Sequence, residues 1–297
     1  MSLHAMLSRS AHVSLRQGQL CVSGDPPRSL PIEDIDTLTL EDGGITITEQ
    51  CLCRLAESGV AVLVCNGKHQ PTGVLLPFAA HSRRLSRICL QISQPRPRIK
   101  RLWQQIVRQK IRNQGKCLLL SGVEDSVSVL ADAVRSGDSG NVEGTAAARY
   151  FRALFGETFT RHGCDFWNGF LDYGYAILRA AIARTIAAYG LEPCLGLFHR
   201  SEQNAWNLAD DLIEPFRPVV DLLAAEYREE EEDAPLTKEQ RERLVALLRV
   251  DVLLAGERHL VGYAVEKVVQ SLLRCFEGET DTLLLPELLP LAAHRYE

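Results

Sequence analysis

The sequence predicts an α+β protein: a small, mostly β N-terminal domain joined to a larger, all-helical C-terminal domain. Up to about residue 80, apolar residues alternate with polar ones between Gly-containing turns. From about residue 97 the apolar spacing becomes that of a helix. A chain of 297 residues, 46% hydrophobic and 24% charged, also has the length for two domains with real cores.

The β elements come first. His12–Val22 alternates around a Gln17-Gly18 turn. Residues 37–48 form two alternating runs around Asp42-Gly43-Gly44, the pattern of a hairpin. Gly59–Cys65 is a continuous apolar run, as expected of a buried strand. Glu49–Ser58 fits one short helix between them. The boundaries that follow are 1–80 for the β domain, 81–98 for a linker punctuated by Pro95 and Pro97, and 99–297 for the helical domain.

In the second half, Ile99–Asn113 places Leu102, Trp103, Ile106, Val107 and Ile111 on one helical face. Further helices are expected at Asp125–Arg135, from about Val142 to Phe155, and at Asp165–Tyr189 before Gly190. Two more follow at Glu239–Leu254 and Tyr263–Phe276. Thr237-x-x-Gln240 has the form of a capping box. The acidic run Glu226–Asp233 reads as an exposed loop between helices.

Charge and composition exclude several classes. No apolar run approaches the roughly 18 residues that cross a bilayer, and Pro286 and Pro290 interrupt Leu283–Leu291. The first residues lack the apolar core of a secretory signal. Nine irregularly spaced cysteines read as reduced thiols in a cytoplasmic protein. The net charge of −5 conceals an asymmetry. Residues 81–115 carry ten Lys/Arg and no carboxylate, whereas residues 1–80 carry 5 Lys/Arg against 8 Asp/Glu. A cationic window of this kind points to a polyanion, the alternative being a solvated helix face. Its candidate polyanion contacts are Arg83, Arg84, Arg98, Arg101, Arg108 and Arg112, together with Arg87, Lys100 and Lys110.

The candidate chemistry lies in 199–218. Drawn as one helix, this segment places Asn204, Asn207, Asp211 and Glu214 within an arc of about 80°, opposite Ala205, Leu208, Leu212 and Phe216. Carboxylates three residues apart repel unless a cation lies between them. Oxygen and imidazole donors suit Mg²⁺ or Mn²⁺. Pro215 ends or kinks the helix beside the acids. His199 follows an apolar run, and Glu143 opens a helix where the macrodipole favours an anion. Periodicity cannot bring Glu143, His199 and Glu214 together, because they lie on separate elements.

Four motifs in order carry a resemblance. They are Glu143-Gly144-x-x-Ala147-x-x-Tyr150-Phe151, Asp165-x-x-Asn168 with Tyr173-x-Tyr175, Gly196-x-x-His199, and Asn204-x-x-Asn207 running on through Asp210, Asp211, Glu214, Pro215 and Arg217. The N-terminal region adds Gly44–Thr48, Gly59–Leu63 and His69-x-Pro71-x-Gly73. Over roughly residues 10–220 the chain resembles the CRISPR-associated integrase of spacer acquisition, the "number one" Cas protein, in its type II-like form.

The resemblance implies a metal-dependent DNA integrase and endonuclease. It would join short foreign fragments into a repeat array by transesterification of a 3′-hydroxyl onto a phosphodiester. It implies Mg²⁺ or Mn²⁺ held by Glu143, His199 and Glu214, with Asp211 as an auxiliary acid and a rival for the third place. It also implies double-stranded DNA as substrate, a homodimer formed through the β domain, and a higher assembly with the small "number two" Cas protein. The competing reading is a non-catalytic helical nucleic-acid-binding module, which accounts for the basic window but not for the acidic stripe.

Overall fold

In the computed structural model, residues 3–24, 26–77, 81–161, 163–231 and 233–293 are described. Strands β1 (Leu3–Leu7), β2 (His12–Arg16), β3 (Gln19–Val22), β4 (Arg28–Pro31), β5 (Ile35–Leu40) and β6 (Thr46–Ile47) precede helix α1 (Glu49–Glu57). Strands β7 (Ala61–Cys65) and β8 (Pro71–Leu75) follow. They form two four-stranded sheets, ordered β1-β5-β7-β8 and β4-β3-β2-β6. The β2–β3 hairpin turns on Gln17 and Gly18, both at positive φ, as a tight hairpin requires.

The expected hairpin over 37–48 does not form. Strand β5 pairs in parallel with β1 and β7, and β6 pairs in parallel with β2. Asp42 shapes the crossover, its carboxylate accepting from the Gly44 N–H at 2.7 Å and from the Ser10 hydroxyl at 2.9 Å. This turn passes the chain from one sheet to the other. Alternation reports a strand with one buried face, and it does not name the partner.

Strand β7 joins the two halves. Val62 lies in the small core with Val13, Leu20, Leu38 and Leu55. Leu63, on the opposite face, belongs to the core of the helical half. Polar contacts reinforce this seam. Buried Glu41 accepts from the Tyr173 hydroxyl at 2.8 Å and pairs with Arg241 at 2.6 Å. Arg184 donates to the Gly59 carbonyl at 2.6 Å.

The stretch 81–98, expected as a linker, is mostly helix: α2 (Arg84–Ile92), then α3 (Arg96–Leu120). Pro95 and Pro97 sit at the start of α3, where a missing N–H costs nothing, so they begin a helix rather than mark a linker. Gln91 ties α2 to the helical half, donating to the Leu195 carbonyl at 2.8 Å and accepting from the Glu192 N–H at 2.9 Å.

Helices α4 (Val142–Phe155) and α5 (Phe166–Ala188) match expectation. The helix expected at 125–135 is only a 3₁₀ stretch over Ser128–Ala133, because Asp125 accepts from the Val127 and Ser128 N–H groups and turns the chain. The single helix drawn over 199–218 divides into α6 (Asn207–Leu212), a 3₁₀ turn (Glu214–Phe216) and α7 (Arg217–Ala225). Helix α8 (Lys238–Ala246) starts on the expected capping box, with Thr237 Oγ1 accepting from the Gln240 N–H at 3.2 Å.

The C-terminal half is not all helical. Strands β9 (Val250–Leu254) and β10 (Glu257–Leu260) form a hairpin ahead of helix α9 (Val261–Glu277), and β11 (Glu287–Ala293) completes a three-stranded sheet. The helix expected over 239–254 therefore stops early. Val250–Leu254 is apolar enough to continue a helix, but Ala255 and Gly256 both take positive φ and fold the run back as a strand.

Candidate active site

The site forms where α3, the start of α4 and the broken helix α6–α7 meet. Asp138 sets the entry to α4. Its carboxylate accepts from the Val142 N–H at 2.9 Å and the Glu143 N–H at 3.0 Å, two donors that the helix cannot satisfy itself. Glu143 is thereby held in the first helical turn, facing α3.

Glu214 reaches the same place from the opposite side. Pro215 breaks the helix there, and its carbonyl accepts from Asn113 Nδ2 at 2.7 Å. The same Nδ2 donates to the Pro286 carbonyl at 2.9 Å, and Asn113 Oδ1 accepts from the Leu288 N–H at 3.1 Å. One buried amide on α3 therefore fixes both the Glu214 turn and the C-terminal strand.

Glu143 and Glu214 converge on one ammonium. Lys110 forms ion pairs with Glu143 and, at 2.5 Å, with Glu214 Oε2. Arg217 holds the other Glu214 oxygen at 3.0 Å. Burial pushes the Glu214 carboxyl up, but Arg217 and Lys110 outweigh it and hold its pKa down to about 2. Burial disfavours the Lys110 ammonium, yet Glu214 and Glu143 raise its pKa, so it stays charged.

Asp211 stands behind His199. Its side chain is fully buried. Oδ2 accepts from the Leu197 and Phe198 N–H groups at 2.5 and 3.0 Å, and Oδ1 meets His199 Nδ1 at 2.7 Å. The hydrogen bond that the ring donates to Asp211 is the main reason the imidazole pKa is raised. With Nδ1 engaged, Nε2 is the ring nitrogen available to a ligand. Gly196 makes this packing possible, since a Cβ there would collide with the His199 carbonyl oxygen and the Asp211 carboxylate. Asn207 braces the same loop, donating to the Cys194 and Ser201 carbonyls at 3.0 and 2.9 Å. Asn204 lies in the loop rather than on a helical stripe, and donates to Asp210 at 2.7 Å.

A second layer supports Arg217. Its guanidinium lies 4.4 Å from the centre of the Tyr175 ring. The Tyr175 and Tyr150 hydroxyls both bond the buried Asp221 carboxylate. Burial pushes the Asp221 carboxyl up to about 6, against the opposing pull of the tyrosines. A cleft of about 500 Å³ opens beside this layer, lined by His199, Arg217, Arg161, Arg179 and Tyr175, with Thr72 of β8 on its far wall. On the other side of His199, Phe198 stacks on Trp103 with ring centroids 4.5 Å apart.

The basic window does not form one stripe. Arg84 pairs with Glu192 at 2.9 Å, Arg98 with Asp281 at 3.8 Å and Arg112 with Asp132 at 3.3 Å. Arg83 occupies the residue before α2, with no side-chain capping bond. Arg101 and Arg108 line a groove of about 660 Å³ with Arg135, although Arg108 also donates to the Val134 carbonyl at 3.0 Å. Lys110 is buried.

The structure thus brings Glu143 and Glu214 together, and Glu214 lies close enough to His199 to raise the imidazole pKa. Among the described residues, no three His, Cys, Asp or Glu side chains stand ready-made around a metal position. The donor chemistry nonetheless fits a hard divalent ion. Two carboxylates already share one cation, and a neighbouring imidazole has a free nitrogen. That cation is Lys110, which sequence reasoning counted only as part of the basic window. A signal was there: Lys110 falls three and four residues after Val107 and Ile106, on the apolar face of α3.

Two acids that converge on one cation, beside a cleft lined by arginines, suit an enzyme that acts on phosphate esters. Comparison with known proteins identifies which. The chain belongs to the family described as CRISPR associated protein Cas1, whose model matches residues 5–248. It is 40% identical to a protein of Neisseria meningitidis serogroup C named CRISPR-associated endonuclease Cas1, over 98% of both chains. In fold it is similar to a casposase solved bound to its integration product, with a TM-score of 0.76 and 19% identity, covering 95% of this chain and 92% of that one. It is also similar to a chain of a Cas6-RT-Cas1–Cas2 complex, with a TM-score of 0.75 and 20% identity, covering 97% of this chain and 36% of that one.

Proposed function

We propose that this chain is a metal-dependent DNA integrase and endonuclease that joins short foreign DNA fragments into a CRISPR repeat array. Family membership and full-length similarity to a Cas1 endonuclease support the reaction class. The observation that carries the residue assignment is the convergence of Glu143 and Glu214 on one cation, beside a histidine oriented by Asp211.

Glu143, Glu214 and His199 Nε2 would hold Mg²⁺ or Mn²⁺. A metal held by these residues would supply Lewis acidity for attack of a 3′-hydroxyl on a phosphodiester. Asp211 fixes the imidazole and the 197–199 loop, and so acts through His199. Arg217 keeps Glu214 ionised and faces the cleft that would receive the phosphodiester. Arg101 and Arg108 line the groove that would grip flanking phosphates, with affinity and little base selectivity. The β domain serves as the dimer contact. Two dimers assemble with the small "number two" Cas protein on double-stranded DNA in the cytoplasm. The fold shared with a chain of a Cas1–Cas2 complex supports that assembly. Among the described residues no helix is long and apolar enough to cross a membrane.

The test is an integration assay with a DNA fragment, a repeat-bearing plasmid, the small partner and Mn²⁺ or Mg²⁺. Joined products are expected, and EDTA should abolish them. Glu143→Ala should stop joining while DNA binding persists. Continued joining by that variant would remove Glu143 from the mechanism.

A further inference from the structure

Ten cations crowd the window from 81 to 115, and one of them does not behave like the rest. The Lys110 side chain is 8% exposed, whereas that of Arg112, two residues on, is 55% exposed. Helix α3 turns Lys110 inward with Ile106, Val107 and Ile111. A lysine is tolerated there only if its charge is met, and Glu143 and Glu214 meet it.

We propose that Lys110 is an exchangeable internal counter-ion: its ammonium holds Glu143 and Glu214 together before metal arrives, and a divalent cation must displace it to bind. The inference rests on the metal reading of the site given above. Its argument is one of charge and freedom of movement. Lys110 and Arg217 together balance Glu143 and Glu214, so the cluster is already neutral. A divalent ion entering between the same two carboxylates would crowd a cation that is there already.

Of the two resident cations, only Lys110 is placed to leave. Arg217 is pinned against the Tyr175 ring, in a planar geometry matched to carboxylate. The Lys110 ammonium sits on a flexible four-carbon stem, and among the described residues its bonds are to the two glutamates. Metal affinity is then set by a competition built into α3. Without metal the acids neither splay apart nor go unpaired.

The experiment uses the full chain with Mn²⁺ alone, the free ion being followed by electron paramagnetic resonance. Wild type should bind Mn²⁺, and Glu143→Ala should not. Lys110→Met should bind Mn²⁺ about tenfold more tightly or better. In EDTA it should melt below wild type, and Mn²⁺ should close that gap. Lys110→Arg keeps the charge and should not bind more tightly than wild type. Wild type alone supplies a reading that no variant's folding can spoil. The ζ-nitrogen resonance of Lys110, in ¹⁵N-lysine-labelled protein, should shift on titration with Mg²⁺. A folded Lys110→Met variant with unchanged or weaker Mn²⁺ binding would overturn the proposal, as would a Lys110 signal unmoved at saturating Mg²⁺. Failure of wild type to bind Mn²⁺ would overturn the metal reading and this proposal with it. Binding that Lys110 does not sense would overturn this proposal alone.

Discussion

Glu214 and Asp221 lie at either end of the same short run of chain, and both are buried, yet their surroundings drive them in opposite directions. Glu214 meets an ammonium and a guanidinium and is held down to about 2. Asp221 meets two tyrosine hydroxyls and is pushed up to about 6. Burial penalises both anions, and the partner decides which one wins. Charges in direct contact outweigh the penalty of leaving water at Glu214, whereas the tyrosine donors, with Arg217 and Arg161 acting from further off, only reduce it at Asp221. The acid paired with Lys110 and Arg217 is therefore ionised at neutral pH with a wide margin. The acid beneath it is a structural acceptor with little to spare.

The contrast is tested most severely by activity. Glu214→Gln should lower joining by at least about 1000-fold, as expected for loss of a charge that meets the reacting phosphate through a metal. Asp221→Asn, which preserves an acceptor for a tyrosine, should remain within about tenfold of wild type. Equal losses in the two variants, measured as initial joining rates, would erase the distinction.

Stability against pH sharpens it next, because the two signs differ. Glu214 has a depressed folded pKa, so its stabilisation is present above its unfolded value of 4.5 and is lost as pH falls toward about 2. Asp221 has a raised folded pKa, so its burial becomes a cost as pH rises from 3.8 through about 6. Relative to wild type, Glu214→Gln should therefore lose stability between pH 2 and 4.5. Asp221→Asn should gain on wild type between pH 4 and 6. Each change is on the order of 3 kcal/mol by the one-unit equivalence. Denaturant melts across pH would show it.

Asp211 offers a third carboxylate for comparison, tied to an imidazole. Asp211→Asn should lower Mn²⁺ affinity and joining by about 10- to 100-fold by releasing the His199 ring. Retention of full Mn²⁺ affinity would show that the ring needs no anchor. The smallest expected effect lies at Asp138, where alanine should cost about 1 kcal/mol through loss of the α4 cap. Thermal melting should fall by roughly 2–4 °C.

Much of this site was legible in the sequence, and its gaps have physical causes. Glu143, His199 and Glu214 were reached through motif resemblance, since periodicity says nothing about contacts between elements. The helical wheel over 199–218 put Asp211 and Glu214 on one face. In the fold, Pro215 and the 3₁₀ turn separate them, one behind His199 and the other on Lys110. A sum of charge along the chain hides the role of Lys110, and Glu192, Asp281 and Asp132 meet the basic window only in space. Asn113 gave a similar hint, as a polar residue one turn beyond Lys110 on the apolar face. The hairpin at 37–48 and the helix at 239–254 failed because sheet partners and backbone φ lie beyond the reach of hydrophobic alternation.

Strand β7 has a consequence for how the molecule can be divided. Its neighbouring side chains, Val62 and Leu63, complete opposite interiors, so the strand serves as a party wall. Cutting the gene near codon 80 would not release two tenants. It would leave one fragment with an exposed oily flank and the other without a side of its room. The two halves should therefore melt together and be inherited as a single unit.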